Sequence, residues 1–212
     1  MTEHDHGSRH GFRFQPERRQ VLKDEGRKEW LPPEPILEAL RIEEGATIVD
    51  VGAGTGFWTL PLSQLIGPSG KVIAVDVEPI MLDELRTLID SQNLSNVELV
   101  HSEELRIPLA DAVADGAVLG FVLHEPDDPP ALLREITRLL RPRRKILVVE
   151  FHKRVTEQGP PLAPRLAEEE TKRMLEDAGF RVESLPAPNP DVYVLMGDTG
   201  ADSPRTPSTR VE

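Results

Sequence analysis

The chain has 212 residues, is 38% hydrophobic, contains no cysteine and carries a formal net charge of −12. That composition fills one sizeable core and excludes disulfides, thiolate zinc sites and a cysteine nucleophile. No apolar run approaches the roughly 20 residues that cross a bilayer, no apolar signal region opens the chain, and the acidic balance opposes phosphate contacts; the expectation is a cytoplasmic protein with no membrane span and no nucleic-acid partner.

Residues 1–27 are polar and aperiodic, which predicts a flexible N-terminal segment that could close as a lid. Phe12 and Trp30 are the aromatic side chains available to anchor it, and they read equally well as packing residues. His4, His6 and His10 read as a solvated tail, so no metal site is expected. Short basic clusters at Arg18-Arg19, Arg27-Lys28 and Arg141 to Lys145 read as solvated faces or helix ends. Pro32 to Pro35 starts a short helix with Ile36, Leu37 and Leu40 on one side.

Apolar runs and helical patterns then alternate. Strands are predicted at 47–51, 71–76, 97–100, 116–123 and 146–150, with helices over 57–66, 79–91 and 130–140 between them. A helix over 168–178 ended by Gly179, and two strands near 180–185 and 192–196, complete a domain spanning 28–197. Residues 198–212, rich in Ser, Thr, Pro and Gly, read as a disordered tail. Short, continuously apolar strands separated by amphipathic helices imply a doubly wound α/β fold: a mostly parallel seven-stranded sheet with helices on both faces. Such sheets bind ligands beyond the carboxyl ends of their strands.

The first strand ends at Asp50 and Val51 and runs into Gly52, Gly54 and Gly56, where missing side chains let the backbone turn sharply and approach a ligand. Phe57 stands where a dinucleotide loop needs its third glycine, and Asp50 would repel a pyrophosphate but help hold a cationic amino group, directly or through water. Asp76, ending the second strand, can accept both hydroxyls of a ribose or can cap the next helix. Glu103 and Glu104, after the third strand, can accept from an adenine amino group or sit in solvent.

At this point the residues resemble a known family. The stretch 48–56 resembles motif I of class I S-adenosylmethionine-dependent methyltransferases, and 72–76 resembles their ribose-binding strand. Leu31-Pro32-Pro33, Ser102-Glu103-Glu104, Phe121-Val122-Leu123-His124-Glu125 and Gly159-Pro160-Pro161 resemble, more narrowly, small prokaryotic methyltransferases of the ubiquinone/menaquinone-biosynthesis type. The resemblance implies a Rossmann-like methyltransferase fold and S-adenosyl-L-methionine as cofactor. It places Asp50, Gly52, Gly54 and Gly56 around the methionine part, Asp76 with Val77 at the ribose, and Glu103 at the adenine, although Ser102 stands where many relatives carry an acid. Gly120 would leave room for the methionine end.

Methyl transfer from a sulfonium needs alignment and dryness more than acid–base groups. If the acceptor must lose a proton, His124 and Glu125 past the fourth strand are the first candidates and Glu150 and His152 the second; ordering the loop 125–130 is the plainer role for His124. No Asn-Pro-Pro-aromatic loop of the nucleobase type is present, which favours a small-molecule methyl acceptor, with the protein a monomer or homodimer. A nicotinamide-dependent oxidoreductase and a noncatalytic binding or scaffold protein on the same fold stay open as alternatives.

Overall fold

A computed structural model describes residues 14–17, 22, 26–156 and 158–200. The expected segments 1–27 and 198–212 therefore fall largely outside the described residues, as do Phe12 and the three early histidines.

Two short helices, α1 (Gly26–Trp30) and α2 (Pro33–Glu38), lead into β1 (Thr47–Val51), α3 (Thr59–Leu65), β2 (Lys71–Asp76) and α4 (Pro79–Ser91). Then follow β3 (Val97–His101), β4 (Ala114–Gly120), α5 (Pro129–Leu139), β5 (Leu140–Phe151), α6 (Glu168–Asp177), β6 (Arg181–Leu185) and β7 (Val192–Asp198). The seven strands form one sheet in the order β3-β2-β1-β4-β5-β7-β6. The first five are parallel, and β7 is antiparallel to both β5 and β6.

The period of two along each strand sends neighbouring residues to opposite faces. Ile48 and Val72 pack with Ile36, Leu37 and Leu62 from α2 and α3, while Val49, Val51, Ile73 and Val75 pack with Leu133 and Ile136 of α5 and Leu175 of α6. Leu85 and Ile89 of α4 close over Ala74. With both faces buried, the central strands read as continuous apolar runs.

Chain order reverses between β1 and β4: β1 lies between β2 and β4, so the loops after β1 and β4 diverge at the carboxyl edge and open a crevice. Among the described residues, no helix is long and apolar enough to cross a membrane. Thr199, in the segment expected to be a tail, is buried against the sheet's end, and β7 runs to Asp198.

Candidate active site

One cleft occupies that crevice, open to solvent and lined by the loops after β1, β2, β3 and β4. Its floor is the loop after β1. Gly52 and Gly54 stand at φ +67° and +53°, a left-handed turn that side chains disfavour, and a Cβ on Gly54 would meet Leu22 only at ordinary contact distance, 3.8 Å. The Gly52 and Ala53 amides both donate to the Val75 carbonyl, at 2.8 and 3.0 Å, which pins the loop against the end of β2.

Asp76 then ties the two loops together. Its Oδ2 accepts from the Gly54 amide at 2.7 Å and its Oδ1 from the Glu78 amide at 2.8 Å. Its side chain does not cap α4, whose N-cap is Glu78. Each carboxylate oxygen thus keeps lone-pair capacity facing the cleft, which Asp76 lines together with Val77. Burial pushes the Asp76 carboxyl above its ordinary range, with the two amide bonds holding it back.

Asp50 lies behind the glycine turn rather than in the cleft. It is fully buried; Oδ2 accepts from the Thr59 hydroxyl at 2.5 Å, and Oδ1 has no partner. Burial pushes its carboxyl up to about 7, the Thr59 hydrogen bond opposing and the nearby Asp76 adding to the rise. Of the two routes expected from sequence, direct or through water, a position behind the turn favours one that does not need direct contact. Gly56 is likewise not a wall of the cleft: it turns at φ +95° beneath Leu85 of α4.

The adenine-side expectation shifts by one residue in each direction. Glu103 is exposed, its backbone closing a tight turn with Arg106, and it does not line the cleft. Ser102 and Glu104 do, with Glu104 accepting from the Asp127 amide at 3.3 Å. The turn between 103 and 106 rotates the first glutamate outward and the second inward.

Gly120 lines the cleft, but its missing side chain serves a neighbour. A Cβ there would come within 1.8 Å of Trp58 Nε1, so the glycine makes room for the buried indole. Gly120→Ala is therefore an overpacking change: a loss of about 3 kcal/mol and a melting temperature lower by roughly 6–12 °C are expected, with partial recovery when Trp58→Leu is added. Calorimetric melting of the single and double variants checks this.

Immediately after Gly120, Phe121 takes φ +64°, an uncommon conformation for a bulky residue, held by its amide donating to the Val149 carbonyl at 2.8 Å. This ends β4 three residues earlier than the expected strand over 116–123 and turns Phe121 and Val122 into the cleft. Phe121 rests on Phe151, which stacks on Trp30 at 5.7 Å between ring centroids. Behind them Arg165, buried, donates to the carbonyls of His152, Arg154, Gln158 and Pro160, organising the loop that holds Gly159-Pro160-Pro161.

The two residues expected to move a proton part company. Glu125 lines the cleft and accepts from the Phe14 amide at 3.2 Å; burial pushes it up to about 7, and neighbouring His124 and the Phe14 amide hold it back. His124 is buried outside the cleft, its Nδ1 2.7 Å from Glu150 Oε2 while its backbone amide donates to Oε1. Burial opposes the charged imidazole, but the Glu150 carboxylate outweighs it and raises His124 above its usual value. Glu150 and His152 do not line the cleft; His152 lies beside Tyr193 and 4.0 Å from Glu168.

Sequence reasoning missed Arg27 as a cleft residue: read as part of a solvated face or a helix end, it does lie in the last turn of α1. It lines the cleft with its guanidinium 4.0 Å from the Phe57 ring centroid, an arrangement no local spacing announces.

The sheet order, the antiparallel β7 and the glycine turn tied to a second-strand aspartate define a class I methyltransferase domain of Rossmann-like fold. The profile of the ubiE/COQ5 methyltransferase family matches residues 28–159, and the chain belongs to that family. A demethylmenaquinone methyltransferase from Geobacillus sp. is 31% identical over 117 residues, 55% of this chain and 50% of that protein. The ubiquinone/menaquinone biosynthesis C-methyltransferase UbiE of Hahella chejuensis is 37% identical over 113 residues, 53% and 45% of the two. The chain thus spans about half the length of the curated relatives it matches. A crystal structure of a SAM dependent methyltransferase from Aquifex aeolicus superposes with a TM-score of 0.83 at 32% identity, covering 88% of this chain and all of that one.

S-adenosylmethionine is the cofactor of this family, and the residues present fit it: a left-handed glycine turn lining the cleft, a second-strand carboxylate with spare lone pairs, and a buried acid behind the turn with an oxygen unpaired among the described residues.

Proposed function

We propose that the chain transfers a methyl group from S-adenosylmethionine to a ring carbon of a quinone-type acceptor in its hydroxyl form. The observation that carries this reading is that the Asp76-tied glycine turn and the Glu125 carboxyl face one cleft. The names of the relatives, demethylmenaquinone methyltransferase and C-methyltransferase, supply the acceptor class. Membership of a methyltransferase family displaces the nicotinamide alternative.

When bound, the cofactor supplies an electrophilic methyl group on a sulfonium that departs as a neutral thioether. Asp76 and Val77 hold the ribose side, and Ser102 and Glu104 border the adenine side. Phe121 and Val122 give the acceptor an apolar wall that excludes water. A ring carbon beside a hydroxyl becomes nucleophilic as that hydroxyl loses its proton to Glu125, ionised above about pH 7. Once the methyl is transferred, the methylated carbon loses its ring C–H proton and the oxygen regains one, restoring the aromatic hydroxyl form with one proton released overall. His124 and Glu150 act behind it: their pairing fixes the loop that presents Glu125, and the imidazolium favours the ionised carboxylate.

Radiolabelled methyl transfer to demethylmenaquinol tests the acceptor, and no product with that ring or its shorter-chain analogues defeats the proposal. Glu125→Gln is expected to lower kcat by about 10²–10⁴ while leaving cofactor binding within a few-fold. Activity should rise with pH through about 7 as Glu125 ionises. His124→Asn removes the cation that depresses Glu125, so its pH limb moves to higher pH with a smaller loss at the plateau.

A further inference from the structure

Among the described residues, the cleft is lined by four carboxylates, those of Asp76, Glu78, Glu104 and Glu125, and by one cationic side chain, Arg27. Its guanidinium lies over Phe57, 4.0 Å from the centroid, and 5.8 Å from the centroid of Phe121. Among the described residues, no carboxylate or carbonyl accepts a hydrogen bond from it. Burial alone pulls its pKa down to about 10, with no acidic neighbour opposing the fall.

A guanidinium stacked on a ring uses its face and leaves its in-plane N–H groups available, and that fork matches a carboxylate or another planar oxyanion. A shielded cation without a counter-ion is costly, and a ligand that brings the anion removes the cost. The position is also specific. Phe57 closes the glycine turn and Phe121 ends β4, so Arg27 sits where the cofactor's floor and the acceptor's wall meet.

We infer that Arg27 is the oxyanion subsite of the cleft, gripping through its N–H fork either the carboxylate of the methyl donor or the ionised ring oxygen of the acceptor. The inference builds on the function proposed above, and the two fail separately. If Arg27 serves the donor, it distinguishes a complete amino-acid moiety from a decarboxylated one. If it serves the acceptor, it stabilises the anion that Glu125 creates and sets a requirement for an ionisable ring hydroxyl.

The test is calorimetric binding to the full chain and to Arg27→Met and Arg27→Lys, with three probes. These are S-adenosylhomocysteine, its decarboxylated analogue, and anaerobic 1,4-naphthalenediol added to cofactor-saturated protein between pH 7 and 10. On the donor arm, wild type prefers the carboxylate-bearing compound by about tenfold to a hundredfold, and Arg27→Met abolishes the preference while binding the decarboxylated compound unchanged. On the acceptor arm, the preference survives, but Arg27→Met loses about tenfold in diol affinity together with its increase at high pH. Arg27→Lys, a point charge without the fork, recovers part of either effect. The inference is overturned if Arg27→Met alters neither arm, or weakens all three probes equally with a lower melting temperature. Wild type that binds neither adenosyl compound defeats the proposed function instead, and the diol titrated into cofactor-free wild type and Arg27→Met then decides Arg27: a loss of about tenfold in the variant upholds the inference and equal affinity overturns it.

Discussion

Replacing Asp76 with alanine is expected to weaken S-adenosylhomocysteine binding by at least a hundredfold, the largest loss of any single substitution in the cleft. Two effects combine. In the proposed mode of binding the carboxylate is a charge-assisted acceptor for each ribose hydroxyl, and such bonds contribute about 1.5–3 kcal/mol apiece. It also holds the Gly54 amide at 2.7 Å and the Glu78 amide at 2.8 Å, so its removal frees the turn after β1 from the turn after β2. Asp76→Asn separates these effects only in part, because an amide carbonyl can serve one of the two backbone donors while its NH₂ opposes the other. The asparagine variant should therefore bind poorly as well, while melting closer to wild type than the alanine variant. Isothermal titration with calorimetric melting of both variants measures this, and near-native affinity in Asp76→Ala would place the ribose elsewhere.

Much of this site follows from strand chemistry that a linear sequence displays. β1 and β2 are short apolar runs, each carrying an aspartate at or near its carboxyl end, and α4 was legible to the residue because Pro79 opens it and Met81, Leu82, Leu85 and Ile89 form one buried stripe. Where sequence and structure differ, a neighbour decided the outcome. The first half of β5 is polar (Arg141, Arg143, Arg144, Lys145) and spans an irregularity: Ala114 pairs with Leu140 and Gly116 with Lys145, the intervening residues bulging out with Arg143 at φ +62°. The helix expected from Phe57 begins instead at Thr59, since Phe57 and Trp58 are committed to an edge-on contact and to the cleft wall.

Roles at the site were less legible than positions. That Gly120 matters is visible in the chain; that it matters through Trp58, sixty-two positions away, is not. Glu103 and Glu104 are interchangeable in a linear reading, and only the tight turn to Arg106 separates them. His124 and Glu125 are adjacent residues that the irregular backbone after Phe121 sends to different environments, one to Glu150 and one to the cleft. Arg27 and Phe57 meet across thirty residues with no periodicity to connect them.

Asp50 yields the second large effect, because the same burial that makes it useful makes it destabilising. Its carboxyl titrates near 7 in the folded chain and near 3.9 when exposed. The folded state therefore holds the proton more tightly, and the contribution of this group to stability is highest below about pH 4 and declines as pH rises to about 7. Three pH units correspond to roughly 4 kcal/mol. Asp50→Asn keeps an acceptor for the Thr59 hydroxyl and removes the charge, so at pH 8 it should melt on the order of 10 °C above wild type, with the gap shrinking as pH is lowered toward 4. Binding should move the opposite way. A sulfonium and an ammonium above the glycine turn favour the ionised carboxylate beneath it, so wild type should release protons on binding S-adenosylmethionine near neutrality and bind it more tightly at pH 8 than at pH 6. Asp50→Asn should lose both the proton release and much of the preference for the sulfonium over its neutral thioether product. Titration in buffers of different ionisation enthalpy reads the proton count directly. A variant that is more stable and binds just as well would mean that the charge behind the turn does nothing for the cofactor.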